Sequence, residues 1–223
     1  MFKRLTDMKH HKSSRILRFA SGMWLVMLVA VLAPALSRGE QTAPQLINAC
    51  SAKIRQSGGI TAGFSMTSDG HSVNGTLKTT GTKFALETPG TATWYDGKSM
   101  WTYNQSTGET TLVSPTPAEL SEANPLLLIT AKLSSFTATY AKTHPAGLKT
   151  VVLMPKSKGT GMKSIHVTVN PKTLLPVKLV AVPTSGRPIT IALSSVKTGQ
   201  KHADSAFQYP KSKYPKVKVV DLR

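Results

Sequence analysis

The sequence predicts a mostly β fold with a few helices, an α+β chain in which about eleven antiparallel strands make up most of the domain. Three observations support this fold class. Apolar residues alternate at period two along most of the chain, Asp-Gly pairs and similar turn signals separate the alternating segments, and the first six segments follow one another without a crossover helix. So many short strands in one domain must curl into a barrel or a half-barrel.

The predicted strands fall into two runs. The first run contains Ile60–Thr67, Ser72–Lys78, Thr82–Thr88, Ala92–Tyr95, Ser99–Tyr103 and Glu109–Val113. The second run contains Phe136–Lys142, Lys149–Pro155, Ser164–Val169, Leu175–Val182 and Pro188–Val196, and Tyr214–Arg223 is a candidate for a further strand. Asp69-Gly70 and Asp96-Gly97 are typical hairpin turns, which favours antiparallel neighbours.

Three helices are predicted, one before the strands and two between the runs. The first, Pro44–Ser57, has a single apolar stripe at the helical period, and Thr42 is its expected N-cap. Thr116 and Asn124 each stand before a proline, a pattern typical of helix starts. The helix that follows Asn124, Leu126–Lys132, is apolar nearly all round.

The first 37 residues are predicted to be a signal peptide, and residues 38–223 the mature domain. A basic segment is followed by the apolar run Met23–Ala33 and by small residues at Ala33, Ala35 and Ser37. An uncleaved membrane anchor is the rival interpretation, and the small residues favour cleavage. The expected localisation is therefore the periplasm. Cys50 is the only cysteine, which excludes an intrachain disulfide.

The chain is strongly basic before and after the predicted cleavage. Its formal net charge is +18, and six of the 28 basic residues and one of the 10 acidic residues precede Arg38, which leaves +13. Outside the cytosol such a charge indicates anionic phospholipid headgroups rather than nucleic acid. The C-terminal basic face consists of Lys211, Lys213, Lys216 and Lys218. The alternative is a solvated face without a partner.

Nothing in the sequence indicates an enzyme, a metal site or a cofactor. The acidic residues form no recognisable catalytic pair, and the histidines are dispersed without metal-ligand spacing. Ser194-Ser195-Val196-Lys197 mimics a penicillin-recognising motif, but it lies on a predicted strand and not at the start of a helix. We interpret that match as chance.

Four segments carry motifs that occur together in a known family. Gly75-Thr76-Leu77-Lys78 is followed by Lys83-Phe84, and Tyr95–Asn104 combines an Asp-Gly-Lys hairpin with a tryptophan strand. The C-terminal motif is Phe207-Gln208-Tyr209-Pro210 with Val217-Lys218-Val219 and Asp221. These segments resemble the glycine-leucine and phenylalanine strands, the hairpin and the C-terminal ending of the LolA family, the periplasmic carriers of outer-membrane lipoproteins. Asn124-Pro125-Leu126 stands where that family has a helix over the barrel mouth.

The resemblance implies an incomplete β-barrel with a helical lid over an apolar cavity. It also implies a monomeric, non-enzymatic carrier that takes acylated lipoproteins or other lipid from an inner-membrane donor complex to an outer-membrane acceptor. The expected lipid-binding residues are Phe64, Met66, Leu77, Phe84, Trp94, Met100, Trp101 and Leu112. The expected lid residues are Leu46, Ile47, Leu126, Leu127 and Ile129.

One departure from the family pattern bears on the lid. Characterised carriers have an arginine between the glycine-leucine and phenylalanine strands that holds the lid shut, whereas Thr79–Thr82 here offers hydroxyls and a glycine. We therefore expect the lid to be held by apolar packing. The alternative function is an envelope adaptor, or another lipid-binding protein, that uses its basic face without lipoprotein transfer.

Overall fold

The computed structural model describes residues 40–124, 126–130, 133–157 and 161–223. The predicted signal peptide, residues 1–37, lies outside the described residues. Within the described ranges, no helix is long and apolar enough to cross a membrane.

Three α-helices are present where the sequence predicts them: α1 spans Ala43–Gln56, α2 Pro117–Ala123 and α3 Leu126–Thr130. Thr42 caps α1 and Thr116 caps α2, each through a capping box that satisfies backbone N–H groups at the helix start. Two short 3-10 helices, Leu133–Ser135 and Asp204–Phe207, complete the helical structure of the described residues.

In the described part of the chain twelve strands form one open sheet, one strand more than the eleven predicted because the C-terminal candidate also pairs. Strands β1 to β6 are Gly59–Ser68, His71–Thr80, Lys83–Thr88, Thr91–Tyr95, Met100–Asn104 and Glu109–Val113. Strands β7 to β12 are Phe136–Tyr140, Lys149–Pro155, Met162–Asn170, Leu175–Pro183, Ile189–Thr198 and Lys218–Asp221. The order is β12-β6-β5-β4-β3-β2-β1-β11-β10-β9-β8-β7. The sheet does not close, so the prediction of an incomplete barrel is confirmed.

Local sequence explains how the two runs of strands join. Asp69 and Gly70 both have positive φ, 52° and 77°, as the tight β1–β2 hairpin requires. β1 also pairs with β11, which links the two runs at the middle of the sheet. A register shift between Thr61 and Gly63 faces Ser195, whose φ of 50° is that of a bulge residue. Bulges bend a strand, which favours the curl of the sheet.

The helices cover one face of the sheet, here called the inner face. β6 lies next to one edge of the sheet and β7 forms the other, so the connection that carries α2 and α3 must cross between them. Helix α1 packs on this face as well, against α3, β7 and β10. The main core lies in this layer and includes Leu46, Ile129 and Val167, all at most 1% exposed.

The opposite, outer face of β3–β5 has a smaller core of its own. Trp94, Phe207 and Tyr209 are its large buried members, and Trp101 and Tyr214 pack against them. Phe207, Tyr209 and Tyr214 belong to the C-terminal segment 204–217, which covers this part of the sheet. Strands β3–β5 are thus covered on both faces.

Candidate functional site

A cavity of about 130 Å³ lies between the inner face of the sheet and the helices that cross it. Five strands, β1, β2, β3, β10 and β11, supply most of its wall, and the junction of α2 and α3 closes it. All the lining residues are apolar except Asn124. They are Phe64, Met66, Leu77, Leu86, Ala123, Asn124, Leu126, Leu179, Ile191 and Leu193.

Strand register brings the wall residues together. Cross-strand partners share a face of the sheet, so Phe64 and Leu193 form a pair at the cavity, as do Met66 and Ile191. Leu77 and Leu86 form a third pair one hairpin further along. The period-two alternation of each strand is therefore what gives the cavity an apolar wall.

Gly75 provides room for one of these side chains. It pairs with Phe64 across β1 and β2, and a Cβ atom at position 75 would overlap both the Phe64 ring and the Glu87 carbonyl oxygen. The ring of Phe64 therefore lies over the glycine. This close approach gives a physical reason for glycine in the middle of a strand, where it is otherwise unfavourable.

Six of the ten lining residues were not among the predicted site residues: Leu86, Ala123, Asn124, Leu179, Ile191 and Leu193. Asn124 is the polar one, and in the sequence it marks a helix start. Its Oδ1 accepts a hydrogen bond from the Leu126 N–H at 3.1 Å, which confirms that capping role. The side chain is fully buried, and within the described residues Nδ2 has no hydrogen-bond partner. Burial follows from the way α2 and α3 cross the sheet, which no local sequence signal predicts.

A second, more open cavity of about 340 Å³ lies beside α3, bordered by the ends of α1 and β2. Leu127 and Thr130 line it from α3, and Thr79, Gly81 and Thr82 line it from the β2–β3 turn. The loop Thr79–Thr82 therefore faces α3 across this opening. Arg55 of α1 lines the same opening, and its guanidinium donates a hydrogen bond to the Ser51 hydroxyl. A guanidinium therefore lies beside this opening, although it belongs to α1 and not to the loop Thr79–Thr82.

The predicted lipid-binding residues divide between the two faces of the sheet. Phe64, Met66 and Leu77 line the 130 Å³ cavity. Phe84 and Met100 belong to the same core without lining that cavity.

The expected cavity positions of Trp94, Trp101 and Leu112 are wrong. Register pairs Trp94 with Trp101 and Trp101 with Leu112, so all three share the outer face. The immediate neighbour Tyr95 points to the inner core instead. Adjacent large apolar residues on a strand necessarily face opposite sides, and here both sides are covered.

The predicted lid residues take three different positions. Leu126 lines the 130 Å³ cavity and Leu127 lines the more open one beside it. Ile129 is fully buried in the main core. Leu46 and Ile47 of α1 are buried in that core too, and neither lines the 130 Å³ cavity. The helix junction over this cavity is therefore that of α2 and α3.

The outer cluster is held by aromatic contacts. The Trp94 ring lies 5.7 Å from Tyr209 and 5.9 Å from Tyr214 in edge-on geometry, and the two tyrosines stack at 5.7 Å. Such pairs add about 0.5–1.5 kcal/mol each beyond the burial of their area. An ion pair of 2.8 Å between Lys83 Nζ and Asp204 Oδ1 joins the segment to β3.

The predicted basic face lies on this C-terminal stretch. Lys211, Lys213, Lys216 and Lys218 are all exposed. Lys218 Nζ is 3.2 Å from Glu109 Oε1, whereas within the described residues the other three make no ion pair. Lys211 and Lys213 stand between Tyr209 and Tyr214, which pack on the outer face, so they lie on the other side of the sheet from the cavity.

Burial shifts the pKa of the Cys50 thiol and of the His202 imidazole, and it raises the pKa of Tyr95 and Tyr140 as well. Burial raises the pKa of the Cys50 thiol on α1 to about 12, which keeps it neutral at physiological pH. His202 has a lowered pKa because burial and the charge of Lys78 both disfavour its protonated form. Its ring nitrogens lie 2.9 Å from Thr61 Oγ1 and 3.1 Å from Thr80 Oγ1. In the described part of the chain, no three His, Cys, Asp or Glu side chains come together as metal ligands would.

Solved structures with a similar fold are distant in sequence. An uncharacterised conserved protein from Thermus thermophilus aligns with a TM-score of 0.55 and 12% identity, over 80% of this chain and 98% of that one. A LolA superfamily protein from Nitrosomonas europaea aligns at 0.39 and 11%, over 75% and 98%. A DUF1329 family protein from Desulfovibrio piger aligns at 0.44 and 11%, over 76% and 98%. The likeness to the Thermus thermophilus protein shows the fold alone.

Sequence comparison gives the family. No curated protein matches the chain. Residues 34–181, which include the cavity wall from β1 to β10 and all three helices, match the model of the family described as outer membrane lipoprotein carrier protein LolA. Since that match covers more than half of the 223 residues, the chain belongs to the LolA family.

Proposed function

We propose that this chain is an exported, monomeric carrier that binds the acyl chains of lipoproteins beneath α2 and α3 and moves them through the periplasm towards the outer membrane. The observation that carries the proposal is the apolar cavity under the helix junction. A protein interior normally packs without voids of this size, and apolar cavities bind apolar molecules. Each buried CH₂ group contributes about 0.8 kcal/mol, so even part of a chain is bound with useful affinity.

The size of the cavity implies that the helices must move for a whole acyl chain to enter. Its volume of about 130 Å³ is below the range of about 300–1,000 Å³ that is usual for ligand pockets. Helix α3 has five residues, and so short a helix is held by its packing rather than by its own hydrogen bonds. Displacing α2 and α3 would join the 130 Å³ cavity to the more open one beside Leu127.

Export and partners complete the proposal. The basic, apolar and small-residue pattern of residues 1–37 supports export by a signal peptide. Lipoproteins would then arrive from an inner-membrane donor complex and leave to an outer-membrane acceptor. A carrier is needed because a diacyl or triacyl anchor does not cross water unaided.

Binding of a fluorescent long-chain acyl ester to the purified protein tests the proposal. We expect saturable binding, and we expect Leu193→Asp to weaken it at least tenfold, because an unpaired charge in the cavity wall repels an apolar chain. Met154→Asp is the matched control: Met154 is 52% exposed on β8, and its replacement should leave binding unchanged. Absence of saturable binding to the wild-type chain would rule out the carrier.

A second candidate function is that of an envelope adaptor that binds an anionic surface through its basic face. The observation in its favour is that Lys211, Lys213 and Lys216 are exposed and, within the described residues, unpaired with acids. Each basic residue near an anionic membrane contributes about 1 kcal/mol. Replacing all three with glutamine should abolish vesicle binding if this function holds, and it should leave acyl ester binding intact.

A further inference from the structure

Within the described residues only one of the two polar atoms of the Asn124 side-chain amide has a hydrogen-bond partner. The residue joins α2 to α3, and its backbone N–H donates to the Leu120 carbonyl at 2.9 Å while its own carbonyl accepts from the Leu127 N–H at 2.9 Å. Oδ1 must be the side-chain atom that faces the Leu126 N–H, because that contact needs an acceptor. Nδ2 is left as a buried donor without a partner within the described residues.

Helix capping does not explain why this donor is present. Serine, threonine or aspartate would also supply an oxygen to the Leu126 N–H, without bringing an NH₂ group into an apolar interior. An unpaired buried donor lowers stability, so native proteins rarely keep one unless it is used. A water molecule would need two to four polar partners, and Asn124 is the one polar residue among the described residues of the cavity lining.

We infer that Asn124 Nδ2 donates a hydrogen bond to the carbonyl oxygen of a bound acyl ester or amide. The inference rests on the proposed function and adds the chemical class of the ligand. The acyl chain would lie along Leu77, Leu179 and Ile191, and its carbonyl would sit at the α2–α3 junction.

The same geometry selects against a charged ligand. Among the described residues no basic side chain lines the 130 Å³ cavity, so the carboxylate of a free fatty acid would be buried there without a counter-ion. A neutral ester or amide needs one donor, which Nδ2 supplies. The site therefore prefers acyl groups in ester or amide linkage to ionised fatty acids.

Three small probes of similar length separate the effects of apolar burial, the hydrogen bond to a carbonyl oxygen and a buried charge. They are nonane, methyl hexanoate and the hexanoate ion. We expect the ratio of methyl hexanoate affinity to nonane affinity to be about three- to tenfold higher in the wild type than in a variant without the Nδ2 donor, the range expected for one neutral hydrogen bond. Hexanoate should bind more weakly than either. In ¹⁵N-labelled full-length protein, the Asn124 side-chain amide protons should shift downfield with the ester and not with nonane.

The variant Asn124→Leu removes the donor at nearly constant size. Its ester-to-nonane affinity ratio should be about three- to tenfold lower than that of the wild type, and because both probes are measured on the same variant, a change in lid stability cancels. If that variant does not fold, the wild-type amide shift decides alone. A ratio that is the same in the variant and the wild type, with an unmoved Asn124 signal, would overturn this inference and leave the carrier standing. Failure of both to bind would overturn the carrier as well.

Discussion

Phe64 and Gly75 show how closely one pair of residues sets the shape of the cavity. The phenylalanine ring occupies the space where the glycine has no side chain, and it lines the cavity from that position. A larger residue at position 75 cannot be accommodated by the ring alone, since the Glu87 carbonyl oxygen is also in the way. The cavity wall thus depends on the absence of a single methyl group.

We therefore predict that Gly75→Ala destabilises the protein by about 1–3 kcal/mol, the usual cost of overpacking a core. Acyl ester binding should weaken too, because the displaced Phe64 ring moves towards the cavity. Urea denaturation and ligand titration measure the two effects. Adding Phe64→Leu to the same chain should restore part of the binding. A fully stable Gly75→Ala protein with normal binding would contradict this account of the wall.

His202, two residues before the C-terminal segment, contacts Thr61 of β1 and Thr80 of β2 through its two ring nitrogens. Because its pKa is lowered in the folded state, folding favours the neutral ring. The stability this provides is complete above the unfolded pKa of about 6.5 and is lost as the pH falls through the lower folded value.

The expected result is that lowering the pH from about 7.5 to about 5 reduces the urea midpoint less in His202→Gln than in the wild type. His71→Gln, at an exposed histidine that starts β2, is the matched control and should behave as the wild type does. Parallel pH profiles for the wild type and His202→Gln would show that this ring does not couple folding to pH.

The sequence determines where large apolar residues stand on a strand but not which face is the interior. Trp94 and Tyr95 are adjacent and similar in size, so alternation alone allows either to point to the cavity. The answer depends on Phe207, Tyr209 and Tyr214, which lie more than a hundred positions further along and cover the outer face. Phe64, Met66 and Leu77 were predictable because their strands have small or polar residues at the intervening positions.

At the scale of elements, α3 is the helix that closes the 130 Å³ cavity and borders the opening beside it. Its residues contribute to the cavity, to the opening beside it and to the core, so its closed position rests on apolar contacts. Boundaries and caps of α1 to α3 were predictable from local signals such as Thr42, Thr116 and Asn124. The sequence could not predict that α1 belongs to the core whereas the α2–α3 junction covers the cavity, since α1 is amphipathic and α3 is apolar, and either kind of helix can pack on the sheet.

Leu127→Asp should shorten the retention of a bound acyl ester about tenfold or more, because it places an unpaired charge where α3 meets the opening. Leu222→Asp is the control, since Leu222 is 64% exposed. Retention by the wild type should change little when salt is raised, because apolar closure is not screened. Retention by Leu127→Asp equal to that of the wild type would mean that this helix does not hold the ligand.

The C-terminal segment is a separate structural element with a separate role. We predict that Trp94→Phe lowers the free energy of unfolding by about 0.5–3 kcal/mol, through lost contacts with Tyr209 and Tyr214, while acyl ester binding stays unchanged. Thermal denaturation measures the loss of stability, and a titration with the acyl ester measures binding. A stable Trp94→Phe protein that fails to bind would make the outer face the ligand site.

At the scale of the whole molecule, the sheet is open and its interior is covered by helices rather than by further strands. This arrangement allows the interior volume to change without breaking the strand pairing, since α2 and α3 belong to a connection and not to the sheet. The fold class and the order of elements were predictable because period-two alternation and turn pairs are local, and the family was predictable from the resemblance of motifs such as Tyr95–Asn104. The cavity was not predictable, because its volume depends on how side chains from five strands and from the α2–α3 junction pack against one another.

The central claim is that an acyl chain binds on the inner face beneath α2 and α3. The most direct measurement is a set of isotope-filtered NOEs between an unlabelled acyl ester and the ¹³C-labelled protein. The account predicts NOEs from the chain to the methyl groups of Leu77, Leu179 and Ile191, with none to the rings of Trp94 or Tyr214. NOEs to those outer-face rings, without any to the three inner methyl-bearing residues, would contradict it.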